Sequence, residues 1–204
     1  RKTFMKKLND YIDKIAAESL GANTFEHYTE ETMNKLAFMC ATGSGKTLIM
    51  HINILQYMHY MKRAKRLNSN ISINKIIVLT PNEGLSNQHL EELKLSNIPA
   101  TLFSKDLSGF NSRKDEVIII DINKLEEEGK VKTVSVDSFE QNNLVLVDEG
   151  HKGLTGDVWY DYRTRLSADG FSFEYSATFK QALRSQKAKD MEKLLDEYGK
   201  AIIM

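Results

Sequence analysis

Cys40-Ala41-Thr42-Gly43-Ser44-Gly45-Lys46-Thr47 is the stretch on which the fold of this chain turns. The apolar run Leu36-Ala37-Phe38-Met39 leads into it, which predicts a strand over 36–40. Leu48, Ile49, Ile52, Leu55 and Met58 leave it at helical spacing, which predicts a helix to about Leu67. Strand, glycine-rich turn, Lys-Thr and helix are the layout of a phosphate-binding P-loop. Gly43 and Gly45 allow the tight turn that points backbone N–H groups at a polyphosphate. The following helix adds its positive N-terminal dipole. Lys46 can neutralise terminal phosphates, and the Thr47 hydroxyl can ligate magnesium. Cys40 stands where the motif usually has its first glycine. A glycine-rich turn without a ligand is the plainer alternative, and Gly-x-Gly-Lys-Thr between strand and helix disfavours it. A nucleotide site formed by Thr42, Gly43, Ser44, Gly45, Lys46 and Thr47 is therefore expected.

Outward from the loop, short apolar runs alternate with helical patterns. Strands are predicted at 75–80, 117–121, 144–148 and 171–175, with a further one at 201–204. Helices are predicted at 3–20, with Gly21 as its stop, at 83–95 and over most of 181–198. Such alternation implies an α/β fold, a mostly parallel sheet covered by helices on both faces. The 204 residues suffice for one such domain, and no proline-rich linker or internal repeat divides them. Residues 1–35 are expected to be a helical lead-in and 36–204 a nucleotide-binding domain. The chain opens on Arg1 and stops on Ala201-Ile202-Ile203-Met204, so a fragment of a longer protein is expected.

Lys and Arg number 28, as do Asp and Glu, so overall charge gives no support for nucleic-acid binding; any such contact needs a local patch. The single cysteine, Cys40, excludes an intrachain disulfide and suits the reducing cytoplasm. No apolar run reaches the length of a membrane span, and no membrane partner is expected.

A P-loop needs an acidic partner for its magnesium. Asp148 ends the apolar run Leu144-Val145-Leu146-Val147, and ligands of α/β sheets bind where strands end in this way. Asp148 is expected to hold the metal, directly or through water, and Glu149 to orient and deprotonate the attacking water. Alone, an Asp-Glu pair after a strand reads as a solvated turn; the P-loop upstream favours catalysis.

Asp148-Glu149-Gly150-His151 resembles motif II of superfamily 2 helicases and translocases, in its Asp-Glu-x-His form. Residues 41–47 resemble motif I of that superfamily, and Thr80-Pro81-Asn82-Glu83-Gly84-Leu85 with Gln88 resembles motif Ia. Ile122-Asn123-Lys124-Leu125 sits where motif Ib would fall, and Ser176-Ala177-Thr178 resembles motif III. The order of motifs is the family's, across roughly 36–180. Asp-Glu-Gly-His-Lys-Gly followed by Gly-Phe-x-Phe-Glu-Tyr-Ser-Ala-Thr-Phe is most similar to helicase (Res) subunits of type III restriction enzymes and to related bacterial defence helicases of the DEAD/DEAH-box family.

The resemblance implies a RecA-like domain that binds ATP and Mg2+ and hydrolyses ATP. It implies catalytic roles for Lys46, Asp148, Glu149 and His151, with Thr47 and Asp148 on the metal. Pro81, Asn82 and Gln88 would touch nucleic acid, and Ser176 and Thr178 would couple hydrolysis to it, with His151 bonding toward them. The implied partners are duplex rather than single-stranded DNA, a second RecA-like domain in the same polypeptide, and nuclease or methyltransferase subunits. Without that second domain and its arginine fingers, these residues alone are expected to hydrolyse ATP weakly. The rival from another class is a P-loop ATPase serving as a switch or assembly factor without movement on DNA.

Other residues read more plainly. His27, His51, His59 and His89 show no metal-ligand spacing, and no zinc is expected. Trp159, Tyr160, Tyr162, Arg163 and Arg165 form an aromatic and basic cluster in which Val158, Tyr162 and Leu166 keep helical spacing, which favours core packing over base stacking. Lys62, Arg63, Lys65 and Arg66 suit a helix C-terminus.

Overall fold

A computed structural model of the chain describes residues 2–19, 26–30, 32–67, 71–104, 115–125, 139, 142–149 and 157–177. The helix expected at 181–198, the strand at 201–204, the stop at Gly21, and residues His151 and Thr178 lie outside the described residues. In chain order the elements are α1 (Lys2–Glu18), β1 (Lys35–Met39), α2 (Lys46–Arg66), β2 (Ile76–Thr80), α3 (Glu83–Leu95), β3 (Ala100–Leu102), β4 (Val117–Asp121), β5 (Leu144–Asp148), α4 (Asp157–Leu166) and β6 (Phe171–Ser176).

The strands form one six-stranded sheet in the order β1-β6-β5-β2-β4-β3, and every pairing is parallel. Every residue of β2, β4 and β5 is buried. Their unbroken apolar runs follow from this, since a central parallel strand is covered on both faces. Alternate residues point to opposite faces. Val78, Ile119 and Leu146 pack with Met50 and Ile54 of α2 and Leu93 of α3. Leu79, Ile120 and Val147 pack on the other face with Tyr162 and Leu166 of α4. The core reading of the aromatic and basic cluster is thus correct for Tyr162 and Leu166. Arg163 instead forms a buried ion pair with Glu174 of β6 at 3.0 Å.

The short strand β3 has no counterpart among the expected strands. It is three residues long and follows Pro99, so neither length nor composition marks it. Its pairing with β4 creates it: Val117 donates its amide to the Pro99 carbonyl and Phe103 to that of Ile119. Buried Asn143 ties the far end of the sheet to α4, its Nδ2 donating to the Phe139 and Leu166 carbonyls at 3.2 and 2.8 Å. Gly170 passes so close that an added Cβ would lie 2.0 Å from the Asn143 carbonyl oxygen. The lead-in helix α1 buries only Ile12 among its described side chains. Asn9 fastens 26–30 to it, accepting the Tyr28 amide at 2.7 Å and donating to the Tyr28 carbonyl at 3.0 Å.

Candidate active site

Parallel pairing places the carboxyl ends of all six strands along one edge of the sheet. The turn at 40–45 after β1, Pro81-Asn82 after β2, 122–125 after β4, Asp148 at the end of β5 with Glu149 after it, and Ser176 at the end of β6 therefore share that edge. This is where α/β sheets bind ligands.

Gly43 and Gly45 have positive φ, 76° and 87°, in the left-handed region that carries no penalty for glycine. They turn the chain from β1 into α2, with the Ser44 amide bonded back to the Ala41 carbonyl at 3.0 Å. Gly45 caps α2 without any side-chain bond to the first-turn amides, and no acidic residue occupies that turn. A 21-residue helix thus presents uncapped N–H groups and an uncompensated positive dipole end beside an exposed loop. That arrangement suits a polyphosphate. Thr42, Gly43, Ser44 and Gly45 are exposed, whereas Lys46 and Thr47 are half-buried.

Lys46 bridges to the two carboxylates expected to act with it. Its Nζ lies 2.8 Å from Asp148 Oδ1 and also bonds Glu149 Oε1. Burial acts to lower the Lys46 pKa, but the two carboxylates raise it overall. Asp148 and Glu149 are consecutive and would point to opposite faces if β5 continued. Glu149 instead adopts φ 54°, a left-handed conformation costing about 1–2 kcal/mol for a residue other than glycine. The turn brings both carboxylates to one ammonium, and the Glu149 amide closes it by donating to Asp148 Oδ1 at 2.9 Å.

Asp148 is buried, and its second oxygen has a partner that sequence reasoning missed. His89 Nε2 lies 2.9 Å from Asp148 Oδ2, and both side chains are 4% exposed. Burial alone would raise the Asp148 pKa; bonds and charge from His89 and Lys46 outweigh it and hold the carboxyl at about 2. A signal for His89 existed: with Ser86 and Leu93 it falls on the buried face of α3. A histidine at a core position of an amphipathic helix needs a polar partner, a requirement that metal-ligand spacing does not register.

Asn82 caps α3, its Oδ1 accepting the Leu85 amide at 2.9 Å. Gln88 is exposed and donates to Glu92 Oε1 at 2.8 Å. The Pro81 carbonyl accepts from Asn123 Nδ2 at 3.3 Å, so the loops after β2 and β4 are joined. Residues 122–124 form a single 3-10 turn capped by Asp121. Ser176 is fully buried, and its carbonyl accepts the Cys40 amide at 3.0 Å, which fastens the end of β6 to the start of the P-loop. Tyr175, not Ser176, stands in register with Asp148, so the Ser176 side chain lies on the opposite sheet face.

The donor set fits magnesium. One oriented carboxylate and a hydroxyl at the helix start are what Mg2+ takes from a protein when phosphates and water complete its shell. Among the described residues no group of three or more His, Cys, Asp and Glu gathers to hold a metal by itself. No helix among them is long and apolar enough to cross a membrane.

No curated protein matches the chain. Its fold is similar to the Hef helicase domain of Pyrococcus furiosus, at TM-score 0.50 and 18% identity, covering 93% of this chain and 35% of that one. Weaker likenesses join it to Saccharomyces cerevisiae Dbp5 bound to RNA and ADP BeF3 (TM-score 0.48, 20% identity, covering 81% and 40%) and to the Sulfolobus solfataricus SWI2/SNF2 ATPase core in complex with dsDNA (0.43, 16%, 95% and 34%). The chain thus spans 35% of the Hef chain, and at 18% identity that likeness concerns the fold, a RecA-like α/β domain. The profile of one family, type III restriction enzyme, res subunit, matches residues 5–198. With nearly the whole chain matched, and the P-loop and Asp-Glu motif facing each other at one sheet edge, the chain belongs to the family of type III restriction enzyme res subunits.

Proposed function

We propose that this chain is the ATP-binding motor domain of an ATP-dependent DNA helicase or translocase serving a restriction or phage-defence system. The observation that carries the proposal is the meeting of Lys46 with Asp148 and Glu149 beside the uncapped start of α2. The ATP polyphosphate would lie against the backbone amides of 42–47, and Lys46 would turn from the carboxylates to the phosphates. Thr47 and Asp148 would hold the magnesium, which when bound neutralises and orients the phosphate oxygens. Glu149, released from Lys46, would accept a proton from the attacking water. Pro81, Asn82 and Gln88 would face nucleic acid, with duplex DNA the favoured substrate.

In this scheme 36–204 is the first RecA-like domain and 1–35 its helical lead-in. A second RecA-like domain of the same polypeptide supplies the arginine fingers, so these residues alone hydrolyse ATP weakly. Nuclease or methyltransferase subunits are the proposed partners.

ATP hydrolysis by the full-length protein tests this, measured without nucleic acid and with single-stranded DNA, duplex DNA or RNA, beside Lys46→Ala. Stimulation by duplex DNA that disappears in Lys46→Ala is the expected result. Stimulation by RNA alone would replace the substrate, and turnover indifferent to every nucleic acid would favour an ATPase switch.

A further inference from the structure

The P-loop helix and α3 enclose a set of buried polar side chains that the proposed hydrolysis does not use. His51 of α2 bonds Ser96 Oγ through Nδ1 at 2.7 Å. His89 of α3 reaches Asp148 Oδ2 through Nε2 at 2.9 Å. His51 Nε2, His89 Nδ1 and Glu92 Oε2 are buried with no hydrogen-bond partner among the described residues. Each such atom weighs against the fold, because it gives up its hydration and gains no hydrogen bond in return. Leucine or methionine at position 89 would pack in the same space without that penalty, so an imidazole here calls for a reason beyond packing.

The reason lies in how Asp148 is divided. Its Oδ1 accepts from Lys46 and from the Glu149 amide, on the side facing the loop. Its Oδ2 is turned inward to His89. Because a carboxylate only accepts, the hydrogen of this bond sits on His89 Nε2. With Oδ2 held, the carboxylate cannot rotate about its last bond, and Oδ1 alone is presented to the nucleotide side. We infer that His89 is a positioning residue that locks the Asp148 carboxylate in a one-oxygen presentation for magnesium, a role resting on the ATPase function proposed above. The lock is carried by α3, whose first turn follows the Pro81-Asn82 loop at the same sheet edge. A shift of α3 therefore reaches the metal-binding carboxylate through a single hydrogen bond.

The test is nucleotide binding rather than turnover. A fluorescent ATP analogue is titrated into the full-length protein in EDTA and across a magnesium series. Wild type is compared with His89→Leu, His89→Asn and His89→Gln. Glutamine keeps an N–H donor near the position of Nε2; leucine has none and the asparagine amide stops short of it. His89→Leu and His89→Asn should raise the magnesium needed for half-maximal enhancement of binding about 10- to 100-fold, with binding in EDTA unchanged. His89→Gln should stay within about threefold of wild type. In an Asp148→Asn background, His89→Leu should add no further loss. If His89→Leu fails to fold, the contrast between the asparagine and glutamine variants still decides. An unchanged magnesium requirement in both His89→Leu and His89→Asn would overturn the positioning role alone, as would an equal loss in EDTA. Wild type that binds no nucleotide in either condition would overturn the proposed function itself, and this role with it.

Discussion

Arg163 and Glu174 offer the clearest energetic test of how this domain is held together. The guanidinium of α4 meets the carboxylate of β6 at 3.0 Å, with side-chain exposures of 3% and 0%. At an effective dielectric of about 20, two charges so placed attract by about 5–6 kcal/mol. Desolvation of both groups offsets much of that, so the intact pair contributes little over an apolar pair of the same shape. Removing one partner is different, because the other charge remains buried. Arg163→Met should therefore lose about 3–5 kcal/mol. In a chain of this size each kcal/mol moves the melting temperature about 2–4 °C, so Tm should fall by about 6–20 °C. The double variant Arg163→Met/Glu174→Leu removes both charges and should recover most of the loss. Thermal and urea denaturation followed by circular dichroism at neutral pH measure both. A single variant melting within about 3 °C of wild type, or a double variant no more stable than the single, would refute the reasoning. Glu174 sits in register between Ala37 of β1 and Val147 of β5, the strands that deliver the P-loop and Asp148. A fold loosened at this pair is thus loosened between the two halves of the site.

Three further outcomes are expected. Lys46→Ala should reduce nucleic-acid-stimulated hydrolysis by about 100- to 1000-fold, the scale for losing one transition-state donor; retained turnover would remove Lys46 from the chemistry. Gly170→Ala puts a methyl group against the Asn143 backbone, 2.0 Å from its carbonyl oxygen, and should lose about 1–3 kcal/mol or more in denaturant; an unchanged midpoint would show that the turn has room. The carboxyl of Asp148 is held at about 2 against an ordinary 3.8, so its contribution, about 2 kcal/mol, is fully present above pH 3.8 and is lost as pH falls through about 2. The stability gap between wild type and Asp148→Asn in urea should accordingly narrow over that window, and a gap independent of pH would contradict the assignment.

Much of this site was legible because its residues are adjacent in sequence to a strong local pattern. Gly43, Gly45, Lys46 and Thr47 follow an apolar run and precede a helical one, and Asp148 and Glu149 end another apolar run. The central strands were readable for the same reason: burial on both faces demands unbroken apolar residues in β2, β4 and β5. Two features were not readable. β3 has three residues and exists through its ladder with β4, which no local periodicity records. His89 carries no local mark of its role, because its partner lies 59 positions away.

The sequence by itself thus determined the alternation of strands and helices, the glycine turn, and the residue types of the two halves of the site. These are local consequences of side-chain period and backbone freedom. Only the tertiary structure decided the strand order β1-β6-β5-β2-β4-β3, which sets Lys46 against Glu149 across 103 positions. It also decided the left-handed turn that aims both carboxylates one way, and the histidine that holds one of them. The physical reason is that strand order and side-chain partners arise from competition among all faces to be buried and all polar groups to be paired, a balance struck only when the whole chain is packed.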